Sequence, residues 1–261
     1  MNKQIASPQK IKLLRYLKKK FEGLINFFIK LIFQIKAGNN SKFGVIISEA
    51  FYQPWNEDKY FKYFYKSILG LTMLDKSRLY ILYQVVKNIK KIKGDIIEVG
   101  TWRGGSAIMM ALTLRKERIR KTIYTFDTFS GVIKSTKLDT YYKRTEHKNA
   151  DQIKLLKILK KKKIKNLISR KGIFPDDLKK MNLKINKISV AHLDVDTYQS
   201  LKDSFEFIWK KLSVGGLIIC DDYGFHQTEG ARQYLKKVSE LKKNIFIPLT
   251  NGQCIIVKNN E

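Results

Sequence analysis

The stretch Gly94–Leu114, GDIIEVGTWRGGSAIMMALTL, decides the fold. A short apolar run, DIIEV, ends at a turn with glycines at 100, 104 and 105. A segment of helical character then runs from Ser106 to Lys116. Strand, tight turn and helix in that order are the opening of a βαβ unit. The glycines let the backbone approach a neighbour closely, and Ser106 is placed to cap the helix. Taken alone, such a turn also fits an ordinary strand–helix connection. Its spacing is not that of the dinucleotide fingerprint, because the second glycine follows the first by four residues rather than two.

Downstream, the pattern repeats. The apolar runs TIYTF, NLIS, KISVAHL, LIIC, IFIPL and QCIIVK read as strands, and helical patterns cover Gln152–Lys162, Tyr198–Leu212 and Glu229–Leu241. Only TNGQ separates the last two strands, which is hairpin spacing, so the final strand is expected to run antiparallel. The sum is an α/β fold with a seven-stranded, mostly parallel sheet, helices on both faces and an antiparallel terminal hairpin. Seven strands with a terminal hairpin are what a class I methyltransferase sheet has. Three regions are expected: a basic amphipathic extension and linker at 1–43, a helical cap at 44–92, and the α/β domain at 93–261. AGNNSKFG, from Ala37 to Gly44, reads as the linker.

The strand tips carry the chemistry. ISVAHLDVDTY ends an apolar run in Asp194 and Asp196, and LSVGGLIICDDYGF ends one in Asp221 and Asp222. Ligands of open α/β sheets bind beyond the carboxyl ends of the strands. Four carboxylates crowded there would repel one another and rise in pKa, and a hard divalent cation of the magnesium type would relieve this. Helix capping is the competing reading, above all for Asp196, which precedes a helix. Asp127 ends TIYTF, where an acid can accept both ribose hydroxyls of an adenosine. Glu98 ahead of the glycine turn would repel a diphosphate and welcome an ammonium group, which favours S-adenosylmethionine over NAD. His192 reads as a packed strand residue. His226 sits in a loop, where it could serve as a base but more simply reads as surface, and His147 has no readable context.

Six pieces in chain order, LTMLDKSRL, GDIIEVGTWRGGSA, FDTFSGV, KGIFPDDL, HLDVDTYQSLKDSFEFIWKKLSVGGLIICDDYG and GARQYL, resemble the macrocin O-methyltransferase family, whose members act on sugar hydroxyls of antibiotics and related glycans. The block LDxDxY…GGxxxxDDYG is the most specific of them. The resemblance implies a Rossmann-like class I methyltransferase fold, S-adenosylmethionine as donor and a magnesium-type cation. By position it assigns Glu98, Val99, Gly100, Thr101 and Trp102, with Asp127, Thr128 and Phe129, to the donor pocket, and adds Thr72, Met73, Ser106 and Gly172. It assigns Asp194, Asp221 and Asp222 to the metal and leaves Asp196 as general base. The turn after FDTF, SGVIKST, lacks the longer acidic turn usual in the family.

Charge bounds the partners. Lys and Arg number 52 against 23 Asp and Glu, a formal net charge of +29. The lysines are scattered among Ile and Asn, so compositional drift accounts for most of it, and no specific nucleic acid is expected. The run Lys160–Lys163 reads as a solvated surface. Cys220 and Cys254 lie in apolar runs, as buried reduced thiols of a cytoplasmic protein would. The segment PQKIKLLRYLKKKFEGLINFFIKLIFQIK is basic and then apolar. It fits peripheral contact with an anionic membrane, or packing on the domain or across a homo-oligomer. Two other classes stay open: an RNA methyltransferase, and a non-catalytic membrane-surface protein with a methyltransferase fold.

Overall fold

The computed structural model describes residues 8–37, 52–143, 146–241 and 244–259. It comprises two units, Met1–Tyr52 and Gln53–Glu261. The first contains helix α1, Pro8–Ala37. The expected linker lies, past Ala37, outside the described residues. Among the described residues no helix is long and apolar enough to cross a membrane.

The second unit opens with α2, Lys59–Ser67, and α3, Lys76–Asn88. Each starts at an aspartate whose carboxylate accepts a backbone N–H of the first turn: Asp58 from Phe61, and Asp75 from Ser77 and Arg78. Such caps contribute about 1 kcal/mol each. Strands and helices then alternate: β1, Asp95–Val99; α4, Gly105–Lys116; β2, Ile123–Asp127; α5, Gln152–Lys161; β3, Leu167–Lys171; β4, Ile188–Leu193; α6, Tyr198–Lys211; β5, Leu212–Cys220; α7, Glu229–Ser239; β6, Asn244–Pro248; and β7, Cys254–Lys258. The sheet order is β3-β2-β1-β4-β5-β7-β6. The pairings from β3 to β5 are parallel, and β7 runs antiparallel to both β5 and β6, as the hairpin spacing predicts.

Successive side chains of a strand face opposite ways, so β1 feeds two cores. Ile96 joins Phe61, Leu82, Ile108 and Met109 on one face, while Ile97 joins Leu201, Phe205 and Leu235 on the other. The helices of the 44–92 region therefore share the core of the α/β domain. β5 begins at Leu212, five residues ahead of the LIIC run, with Gly215 at φ +73 and a register irregularity opposite Ile188 and Val190. The sequence pattern missed this segment because SVGG carries no apolar alternation. Cys220 and Cys254 are buried, free, and paired across β5 and β7. The order reverses between β1 and β4, which places the topological switch point where their carboxyl ends meet.

Candidate active site

The ladder continues one residue past several strands and sets the tips. Gly100 N donates to Phe126 O at 2.9 Å, Asp194 N to Val99 O at 3.0 Å, and Asp221 N to Leu193 O at 2.8 Å. Gly100 has φ +86, and a Cβ there would sit 1.7 Å from the Asp194 carbonyl oxygen, so only glycine allows β1 and β4 to end this close. Three non-glycine residues at the tips hold left-handed backbone: Trp102, Phe129 and Asp196, at φ +48, +50 and +64. Strain of this kind is held in place by surrounding contacts and concentrates at functional sites.

A cavity of about 290 Å³ lies over these ends. Of the residues expected at the donor pocket, Met73, Val99, Gly100, Trp102, Asp127, Thr128 and Gly172 line it, as do all four aspartates. Thr72, Glu98, Thr101, Ser106 and Phe129 do not. Asp127 accepts from Trp102 N on Oδ2 and from Phe129 N on Oδ1, at 2.7 Å each, which fixes its carboxylate at the tip of β2. Burial raises its pKa, partly offset by those two N–H groups. Ser106 is the second residue of α4 and does not cap it, because the N-cap is Gly104.

Glu98 is fully buried and turned into the sheet. It accepts from Thr101 Oγ1 at 2.5 Å and Thr125 Oγ1 at 3.0 Å, and pairs with His192 Nδ1 at 3.0 Å. Burial alone would raise its pKa, but His192, Thr101 and Ser106 hold it below the usual range. Its oxygens are thus engaged inside the sheet, and it does not line the cavity where the sequence placed it beside a ligand ammonium. His192 Nε2 lies 3.8 Å from Asp221 Oδ1, an electrostatic contact longer than a hydrogen bond. Burial would lower the His192 pKa, but Asp221 and Glu98 outweigh it and lift it to about 10.

The aspartates divide. Carboxylate oxygens of Asp194, Asp196 and Asp222 lie within 4.8 Å of one another. Asp222 Oδ2 accepts from Val195 N and Asp196 N at 2.9 Å each, which ties β5 to the β4 tip. Asp221, expected beside them as a metal ligand, has both oxygens engaged elsewhere: Oδ2 pairs with Arg78 and Oδ1 accepts from Gln253 Nε2 at 2.8 Å. Despite burial, His192 and Arg78 keep its pKa low. Burial, then repulsion from Asp221 and Asp222, pushes Asp194 well above the usual carboxylate range. Burial, then Asp222 and Asp221, does the same to Asp196, and burial and Asp221 push Asp222 up to about 6. Three convergent carboxylates made costly by one another form an oxygen donor set that suits a hard divalent cation.

Four residues of the site escaped the sequence reading. Arg78 and Gln253 hold Asp221, and Arg78 also lies over the Phe225 ring at 5.0 Å. Tyr142 and His147 both line the cavity, with the Tyr142 hydroxyl 3.4 Å from His147 Nε2, and Tyr142 partly offsets the rise in the Asp196 pKa. Arg78 lay inside the quoted LTMLDKSRL, and Gln253 ends the TNGQ hairpin, but neither spacing points to an aspartate 143 or 32 residues away. His226 is exposed and does not line the cavity.

Residues 64–251 match the family model described as Macrocin-O-methyltransferase (TylF). Demethyldecarbamoylnovobiocin O-methyltransferase of Streptomyces niveus is 30% identical over 165 residues, covering 58% of this chain and 62% of that protein. The 8-demethyl-8-(2,3-dimethoxy-alpha-L-rhamnosyl)-tetracenomycin-C 4'-O-methyltransferase of Streptomyces olivaceus is 29% identical over 168 residues, with the same two shares. The chain thus spans less than two thirds of the length of these curated relatives. The solved structure of the O-methyltransferase NovP superposes with a TM-score of 0.62 at 23% identity, covering 73% of this chain and 83% of that one, a likeness of fold.

Proposed function

The chain belongs to the macrocin O-methyltransferase family, and on that premise we propose that it moves a methyl group from S-adenosylmethionine to a hydroxyl of a sugar or related natural product, with a divalent cation at the acidic tips. The observation that carries the reading is the convergence of Asp194, Asp196 and Asp222 on the same cavity that Gly100 and Asp127 line. The sugar acceptor rests on what the relatives are named for, a rhamnosyl hydroxyl in one of them.

In this reading Asp127 accepts from the ribose hydroxyls of the donor at the tip of β2. Gly100, with no side chain, lets the donor approach the β1 turn. Asp194 and Asp222 hold the cation, since both belong to the convergent set and to the family-derived one. When bound, the cation supplies Lewis acidity that lowers the pKa of an acceptor hydroxyl. Asp196 takes the hydroxyl proton as the oxygen attacks the sulfonium methyl in line; the C–S bond breaks and S-adenosylhomocysteine leaves. Asp196, the remaining acid of the convergent set, lines the same cavity and is the group left to receive that proton. Asp221 stays locked by Arg78 and Gln253 and orients the β5 tip.

The test is calorimetry with S-adenosylhomocysteine, followed by methyl transfer from labelled S-adenosylmethionine to a panel of rhamnosides with and without chelator. Binding that Asp127→Ala weakens roughly tenfold or more, by loss of hydrogen bonds to a charged group, supports the reading. Binding of NAD with no response to S-adenosylhomocysteine overturns it. Salt-sensitive RNA binding with chelator-resistant methylation would favour the RNA reading instead.

A further inference from the structure

We propose that α1 is an in-plane membrane anchor that docks on an anionic phospholipid surface. Projected at about 100° per residue, Leu13, Leu17, Phe21, Leu24, Phe28 and Leu31 fall within an arc of roughly 80°. All six are exposed, from 42% to 65%. Lys20 falls about 20° beyond one edge of that arc and Lys18 about 60° beyond the other, where long side chains lay their stems along the apolar face and reach headgroups with their tips. The helix carries eight Lys and Arg against a single acid, Glu22, which stands 3.8 Å from Lys18. Six of those eight precede Phe21. Among the described side chains from Phe21 to Ile32 the polar positions are Glu22 and Asn26, four residues apart on one side of the helix.

That geometry selects among occupants. A second helix covers a narrow seam and would leave the exposed Ile25, Phe27, Ile29 and Ile32 in water. A bilayer interface takes the whole arc. A second copy of this chain would bring another eight cations against these eight, whereas anionic headgroups complement them. The helix is not apolar enough to span a bilayer, so it lies in the surface.

The experiment is sedimentation of the full chain with vesicles of phosphatidylcholine alone and of phosphatidylcholine with phosphatidylglycerol. Binding to the anionic vesicles that falls with added salt is expected. Lys18→Ala, Lys19→Ala and Lys20→Ala together should weaken it ~100-fold, from a factor of about five per cation. Phe21→Glu with Phe28→Glu should abolish it while the thermal unfolding transition of the protein is retained. Absence of sedimentation with either vesicle, or equal sedimentation of wild type and the Phe21→Glu, Phe28→Glu protein, overturns the proposal. So does a dimer in light scattering that Phe28→Glu dissociates without any vesicle binding, which would give the face to a second copy.

Discussion

The acid cluster should make the cation-free protein more stable at mildly acidic pH than at neutral pH, the reverse of a protein whose aspartates are salt-bridged. Asp222 supplies the magnitude. Its carboxyl moves from 3.8 to about 6 on folding. A group raised this way binds its proton more tightly in the folded state, so stability falls as pH rises from its unfolded to its folded pKa. Above that range the folded state is on the order of 3 kcal/mol worse off, at about 1.4 kcal/mol per tenfold. Going from about pH 7.5 to about pH 5 relieves roughly half of this. At about 2–4 °C per kcal/mol for a domain of this size, Tm should rise by roughly 3–6 °C. Asp194 and Asp196 are raised too and add in the same direction. His192, lifted to about 10, contributes stability fully present below its ordinary 6.5 and lost as pH climbs toward 10, again the same sense. Glu98 and Asp221 are depressed, so their contribution is lost only as pH falls below the ordinary carboxylate range and does not oppose the trend in this window.

A cation should substitute for the protons. Magnesium at about a hundred times its Kd stabilises by about 2.7 kcal/mol, roughly 5–11 °C here, at about pH 7.5, and by less at about pH 5 where protons compete. Asp222→Asn keeps an acceptor oxygen for Val195 N and Asp196 N but removes a charge. It should raise the Tm of the metal-free protein near neutral pH and shrink the magnesium response. Differential scanning fluorimetry across pH, with chelator and with magnesium, reads all three. A metal-free Tm that climbs from pH 5 to 7.5, together with no magnesium shift, would refute the reasoning: the acids would then be satisfied within the protein.

Asp196→Asn should leave magnesium stabilisation nearly intact and lower kcat by about 10²–10⁴, with no recovery at high magnesium, because the missing function is proton removal; recovery by added metal would make Asp196 a ligand instead. Gly100→Ala places a Cβ 1.7 Å from the Asp194 carbonyl at φ +86, so the β1 and β4 tips must separate. Loss of S-adenosylhomocysteine binding and of the magnesium shift together is the expected calorimetric result, and wild-type values for both would show the tips to be independent. Tyr142→Phe removes the hydroxyl that moderates the Asp196 pKa and should lower kcat several-fold with KM for the donor unchanged, whereas a change in donor KM alone would place Tyr142 at the donor instead.

The sheet was legible because its signals are local. Short apolar runs between helical patterns, and the TNGQ turn between the last two strands, fix strand number and direction without long-range knowledge. The cavity was legible for the same reason: residues adjacent to strand ends line it, Gly100, Asp127 and Asp194 among them. What failed was the direction in which an acid points. Glu98 was expected to face a ligand because it stands two residues before the turn. In β1 its side chain faces β2 and β4 instead, where Thr125 and His192 wait in register. Periodicity reports a face of the sheet, but not whether a charged partner sits on the neighbouring strand.

The same limit explains the adjacent aspartates at the end of β5. Asp221 and Asp222 read as one chelating unit, yet neighbouring residues of extended chain point apart. Asp222 turns toward β4 and takes the Val195 and Asp196 N–H groups, leaving one oxygen for the cluster. Asp221 turns toward α3 and the β6–β7 hairpin, where Arg78 and Gln253 meet it. A chain of alternating charge results, running Glu98, His192, Asp221, Arg78 from the sheet interior to the cavity wall. Each member is buried or nearly so, and each removes the penalty its neighbour would otherwise carry. Asp221 still raises the pKa of each acid in the crowded trio, and without Arg78 beside it that repulsion would be larger. The guanidinium thus does for one aspartate what a cation would do for the other three, and this is why four acids can end two strands with only three of them converging.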